Sequence, residues 1–156
     1  MSRLFLLQLL CIIGAVSGAK KPLVLEREDK NKTICHTTTN LVGETCADGI
    51  EKRYTYNPKT GKCEFFVATT CGTPNANNFR SRIQCLETCN NTSPCLLPEK
   101  GSLVGFRSAF TYDRKNDICK KIKYTFGGDF WPKHNKFTTA EKCQVECTPI
   151  YQQSSS

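Results

Sequence analysis

The placement of cysteines constrains this chain more than any other feature. Of eleven, one (Cys11) lies in MSRLFLLQLLCIIGAVSGA, residues 1–19, where Arg3 precedes an apolar run from Leu4 to Val16 and small residues Ser17 and Ala19 close the stretch. That pattern predicts a secretory signal peptide cleaved near Ala19. The run is shorter than the roughly 18 apolar residues a membrane span requires. Secretion into an oxidising compartment is therefore expected, and removal of the leader leaves ten cysteines in residues 20–156. An even number at this density points to a disulfide scaffold, in which covalent staples make up for a small core. No C-x-x-C pair occurs, and the two histidines, His36 and His134, lie far apart. Neither a metal site nor any other cofactor is expected. No nucleophile, base and acid can be grouped, so no catalytic residue is assigned and an enzyme is not expected.

The ten cysteines fall into two sets: Cys35, Cys46, Cys63, Cys71, Cys85 and Cys89, then Cys95, Cys119, Cys143 and Cys147. Each set ends in C-x-x-x-C, and RYTYNPKTGKC at 53–63 is echoed by AFTYDRKNDIC at 109–119. Between the sets stands NNTSP, a polar, turn-prone linker. The chain thus divides into a flexible N-terminal segment 20–34, a first domain 35–89, a linker 90–94, a second domain 95–147 and a flexible tail 148–156.

Local patterns repeat with the cysteines. EKRYTYNP and KCEFFVAT are aromatic, β-rich runs around the turn NPKTG, and SAFTYD and ICKKIKYTF flank RKND. Each half then ends in a short helix: Ser81 with Gln84 forms a capping signature before CLETC, and Thr138 opens T-T-A-E before KCQVEC. Spacing by four places both cysteines of each final pair on one helix face. The expected fold is small, disulfide-rich and α+β, with two tandem copies of a twisted β-hairpin plus a short C-terminal helix.

RYTYN, GKC, EFF, the pair CG, NNF and QCLETC together resemble the Kunitz domain of bovine pancreatic trypsin inhibitor. Six cysteines admit many pairings that spacing alone does not choose among. The resemblance implies Cys35–Cys89, Cys46–Cys71 and Cys63–Cys85 in the first domain, and Cys95–Cys147 and Cys119–Cys143 in the second. There Leu103 and Asp129 occupy the places of the missing pair. The resemblance also implies a protease-binding loop of Thr45, Cys46, Ala47, Asp48 and Gly49, with Ala47 in the position that enters a specificity pocket (P1). Alanine suits a small, elastase-like pocket rather than one that wants Lys, Arg or an aromatic ring. Two departures are visible: the run from Cys46 to Arg53 is one residue longer than the family's, and Thr69 and Thr70 stand where the family has Gly-Gly. The second domain's corresponding loop, Leu103–Val104, lacks its clamp.

Residues 95–147 carry ten Lys and Arg against six acids, +4, while 35–89 carry six against five, +1. Lys121 and Lys123 lie on one face of a strand, with Lys120 and Ile122 on the other. This basic stretch is either a solvated face or an exosite for a protein or heparin-like glycan; Arg114, Lys115, Lys133 and Lys136 add to the field. Trp131 is expected in the core and, if exposed, would be a contact anchor. Asn31, Asn90 and Asn91 are glycosylation acceptors in a secreted chain, and one of the overlapping pair is expected to be used.

The two-domain layout is similar to that of tandem-Kunitz salivary anticoagulants of blood-feeding ticks. That resemblance implies a secreted, monomeric serine-protease inhibitor acting on factor Xa or factor VIIa–tissue factor by loop and exosite. Its partner would be an extracellular protease or zymogen, with no nucleic acid and no membrane span. The alternatives are a non-inhibitory binding module (an ion-channel blocker or receptor ligand) and an elastase-type inhibitor.

Overall fold

The computed structural model describes residues 33–39, 43–73, 76–101 and 104–152. The expected leader, most of segment 20–34 including Asn31, and Leu103 lie outside them. Strands β1 (Glu51–Asn57) and β2 (Lys62–Ala68) form one antiparallel hairpin, followed by helix α1 (Arg82–Cys89). After a 3-10 turn at Pro94–Leu96, strands β3 (Arg107–Asp113) and β4 (Ile118–Tyr124) form a second hairpin, and helix α2 (Ala140–Cys147) closes the chain. The structure therefore contains two hairpin-plus-helix units.

Turn chemistry sets both hairpins. Asn57 Oδ1 accepts from the Lys59 N–H at 3.0 Å, and Gly61 takes up φ +70°, a left-handed conformation that glycine adopts without a Cβ penalty. In the second hairpin Asp113 Oδ1 accepts from the backbone N–H of Lys115 and Asn116 at 3.0 and 3.3 Å. Its left-handed residue is not glycine but Asp117, at φ +52°. Ser81 caps α1 as expected, its Oγ accepting from the Gln84 N–H. The cap of α2 falls one residue later than the sequence suggests. Thr139, in extended conformation, accepts from the Lys142 N–H at 3.1 Å. Glu141 then lies in the first turn, where its charge opposes the helix dipole favourably.

Each eight-residue helix is too short to persist alone. Cysteines four apart fasten it: Cys85 joins Cys63 on β2 and Cys89 joins Cys35, while Cys143 joins Cys119 on β4 and Cys147 joins Cys95. Around these bonds pack Tyr54, Phe79 and Leu86 in the first unit and Tyr112 and Phe137 in the second, within one buried cluster. Trp131 is half-buried and stacks on Phe137 with ring centroids 5.1 Å apart. It serves the core rather than standing free.

A buried asparagine pins each unit from inside. Asn77 Oδ1 accepts from the Tyr56 N–H at 2.7 Å, and its amide donates to the carbonyls of Tyr56 and Thr37. Asn135 repeats the arrangement with the N–H and C=O of Tyr112 and the C=O of Leu97. In both units one side chain satisfies backbone groups that would otherwise be buried without partners. Composition and motif reading did not single out either residue as structural, although NNF at 77–79 contains the first.

The two units touch, and the tail is not uniformly free. Phe65 of β2 donates its N–H to Pro149 O at 2.9 Å and accepts from the Tyr151 N–H at 2.8 Å. Residues 149–151 thus add to the outer edge of β2, with Tyr151 packed on Phe66. The expectation of a flexible tail is corrected for residues 148–152, because an open strand edge offers hydrogen bonds that the passing segment takes. The linker is likewise ordered: Ser93 is buried and its Oγ accepts from the Cys95 N–H.

Replacing Asn135 with alanine removes three hydrogen bonds and strands the Tyr112 N–H and C=O in a dry interior. We expect Asn135→Ala to destabilise by about 2–4 kcal/mol, more than a typical surface change. Asn77→Ala should cost a similar amount but leave its unit folded, since that unit keeps three disulfides against the second unit's two. Denaturant unfolding of the oxidised variants checks both.

Candidate functional site

The implied binding loop is built on the third disulfide of the first unit, Cys46–Cys71, with Cα atoms 4.9 Å apart. Backbone bonds flank it: Cys46 N–H to Thr69 O at 3.0 Å and Cys71 N–H to Glu44 O at 2.8 Å, with Thr45 bridged to Thr70. Thr69 and Thr70 sit here in ordinary backbone conformations, because the glycine that permits close approach comes after the cysteine instead. Gly72 has φ +72°, and a Cβ on its neighbour Gly43 would lie 2.5 Å from the Gly72 backbone. The β-branched pair therefore extends the ladder without distorting the support.

At the apex, Gly49 donates its N–H to Cys46 O at 3.0 Å, so Ala47 and Asp48 form the corner of a tight turn. Thr45, Ala47, Asp48 and Gly49 are all exposed, while Cys46 is buried. A substrate-like loop lies in a protease cleft as an extended strand, and a turned Ala47–Asp48 peptide departs from that shape. Below it, Arg53 is buried and pairs with Glu51 at 2.9 Å. Glu51 and the two sulfurs of Cys46 and Cys71 lie close together, but those sulfurs are bonded to each other and are not thiolate ligands.

In the second unit the equivalent region is the far end of β3–β4, where Arg107 pairs with Tyr124. It gathers large apolar side chains in water: Phe106 is 91% exposed, Phe126 89% and Val104 77%. Asp129 is exposed and lies 3.5 Å from His134 Nε2. His36 is exposed as well.

The basic strand divides in a way the sequence did not reveal. Lys120 sits 2.9 Å from both Glu99 and Asp113, which raise its pKa and remove it as a free positive charge. Lys120 together with Asn116 and the turn N–H groups holds the Asp113 carboxyl down at about 2. Lys136 is buried, donates to Gly127 O, and lies 3.8 and 4.5 Å over the Tyr124 and Phe130 rings; burial lowers its pKa. Lys120 and Lys136 are thus each engaged by partners within the second unit. Arg114 donates to Leu96 O, tying the second hairpin to the 3-10 turn at Pro94–Leu96. Exposed Lys121 and half-buried Lys123 remain on the outer face, the latter donating to Ser108 Oγ at 3.2 Å.

The overlapping glycosylation acceptors also part. The Asn90 amide donates to Gly61 O at 2.9 Å and its Oδ1 accepts from Thr92, whereas Asn91 is exposed.

The Kunitz/bovine pancreatic trypsin inhibitor domain matches residues 34–90. Haemaphysalin of Haemaphysalis longicornis is 30% identical over 145 residues, 86% of this chain and 87% of its own length. This chain belongs to the Kunitz/bovine pancreatic trypsin inhibitor family. The Kunitz-type serine protease inhibitor bitisilin-3 of Bitis gabonica is 33% identical, the match covering 63% of this chain and 62% of that protein. The solved structure of Ixolaris with factor X is 32% identical over 69% of this chain and 89% of Ixolaris, with a TM-score of 0.26. Among the described residues, no helix is long and apolar enough to cross a membrane.

Two outcomes check these assignments. Asp113, held low, contributes stability that is complete above its ordinary value of 3.8 and lost as pH falls towards about 2. Lys120→Gln loosens that hold, so acid unfolding followed by circular dichroism should begin at higher pH. On secretion from a glycosylating host, Asn91→Gln should remove the linker glycan, seen as a gel shift, whereas Asn90→Gln should leave it in place.

Proposed function

We propose that the protein is a secreted Kunitz-type inhibitor of an extracellular serine protease or its zymogen. Its target would be a coagulation enzyme such as factor Xa or factor VIIa–tissue factor, bound through surfaces on both units. In this reading the second unit is itself a Kunitz domain that has lost the staple between Leu103 and Asp129. The observation that carries the proposal is the loop apex. It is disulfide-clamped and exposed, as an inhibitor's must be to keep the ordering cost of binding low. Its Ala47–Asp48 corner nevertheless suits contact with a protease surface better than substrate-like threading of the active site. Affinity then has to come from elsewhere, and the second unit offers Phe106 and Phe126 beside Arg107 and Lys123, with Lys121 further along the same strand face. Large aromatics near basic groups are the usual anchors of such contacts. The coagulation target rests on the resemblance to tandem-Kunitz salivary proteins.

A second reading follows from the same turn. If Ala47 never enters a cleft, the scaffold is a binding module without inhibition, an ion-channel blocker or receptor ligand. Elastase-type inhibition requires the loop to straighten around Ala47.

The test is titration of the refolded chain against trypsin, elastase, factor Xa and factor VIIa–tissue factor, following small-substrate hydrolysis and clotting time together. We expect prolonged clotting with small-substrate hydrolysis largely spared, and a loss of roughly tenfold or more in potency when Lys121 and Lys123 are both changed to Glu. Ala47→Lys should bring little trypsin inhibition. Strong block of small-substrate cleavage that depends on Ala47 would restore the substrate-like loop. No response in either assay would leave the binding-module reading.

A further inference from the structure

The turn of the second hairpin carries a residue that makes little sense for that hairpin alone. Asp117 stands directly before β4 as Gly61 stands directly before β2, and both have positive φ, +52° and +70°. Among the described residues Asp117 is the only non-glycine in that region. A side chain there is disfavoured, and an observed outlier of this kind asks what the side chain does.

It gathers donors from both units. Asp117 Oδ2 accepts from the Tyr54 hydroxyl at 2.8 Å, and Oδ1 accepts from the Tyr112 hydroxyl at 2.8 Å. The Arg82 guanidinium reaches the same carboxylate through Nε at 2.7 Å and Nη2 at 3.4 Å. Arg82 is itself held on several sides: its carbon lies 5.0 Å over the Tyr54 ring, and Nη1 donates to Cys63 O and to Pro149 O. Tyr54 and Arg82 are buried and belong to the first unit; Asp117 and Tyr112 belong to the second. Lys62 of β2 adds bonds to Val145 O and Glu146 on α2, both at 3.0 Å.

We propose that Asp117 is a positioning residue that fixes the angle between the two units. The molecule then meets its partner as one rigid body, with the Ala47 corner and the Phe106–Phe126 tip at a set separation. The geometry favours this over a loose tether because three donor atoms of the first unit, on Tyr54 and Arg82, converge on one short side chain that Tyr112 holds within the second, which leaves little freedom to swivel. The tip lies at the other end of β3–β4 from the clasp, six residue steps or about 20 Å along the strand. A small rotation at Asp117 would therefore displace it by a large distance. The proposal does not depend on which partner is bound.

The experiment uses the whole mature, oxidised chain. Residual dipolar couplings and amide relaxation in the wild-type protein should fit one alignment tensor and one tumbling time for both units. Asp117→Gly gives the second hairpin the residue that the first one uses, so each unit should keep its own fold and chemical shifts. The common tensor should nevertheless be lost. In the same variant the Tyr54 hydroxyl, pushed up to about 12 first by burial and then by its bond to Asp117, should titrate lower in an ultraviolet pH titration. An Asp117→Gly chain that keeps the wild-type couplings overturns the proposal. So does a wild-type chain whose units already need separate tensors, or a Tyr54 that titrates unchanged after the substitution.

Discussion

Everything in this molecule hangs on the bonds that tie each short helix to the middle of its hairpin, Cys63–Cys85 and Cys119–Cys143. A two-stranded hairpin is marginal alone in water, and an eight-residue helix is worse. Joined covalently, they need only a few aromatic side chains between them to exclude water. Closing loops of 22 and 24 residues also restricts the unfolded chain, each contributing about 3 kcal/mol in the chain-entropy account. This economy explains why the cores are so small. With few apolar atoms available, the interior is organised by satisfying backbone groups.

The first unit spends its remaining disulfide on display rather than on the core. Cys46–Cys71 lies beneath an exposed corner and is braced by backbone bonds to Thr69 and Glu44. The second unit lacks that brace and exposes aromatic rings at the same end. The two ends therefore offer different chemistries, one rigid and mildly acidic at Asp48, the other apolar and basic. This asymmetry favours a partner with two distinct contact areas.

Much of this was legible in the sequence, for identifiable reasons. Cysteine spacing is a one-dimensional record of covalent geometry, so the division into two stapled hairpin-plus-helix halves could be read directly. The turn residue Asn57 and the Ser81 cap act through neighbours in the chain and were visible too. What could not be read depends on partners distant in sequence. Lys120 looked like a free cation until Glu99 and Asp113 came beside it, and Lys136 until the Tyr124 and Phe130 rings covered it. Residues 148–152 looked disordered because the strand edge that receives them lies more than eighty residues earlier. Asp117, opposite Gly61 in the repeat, was the available clue to the contact between halves; comparing the two copies turn by turn would have found it.

The exchange of Gly61 for Asp117 between the two turns bears on how independent these halves are as modules. Tandem arrays of small domains are commonly treated as beads that can be cut apart, shuffled or grafted. The first bead here would survive excision with a buried arginine deprived of its counter-ion. The second would keep an aspartate in a conformation suited to glycine, without the arginine and the tyrosine of the first bead that compensate it. Neither half is a neutral building block, and the two form a single unit whose parts are not interchangeable.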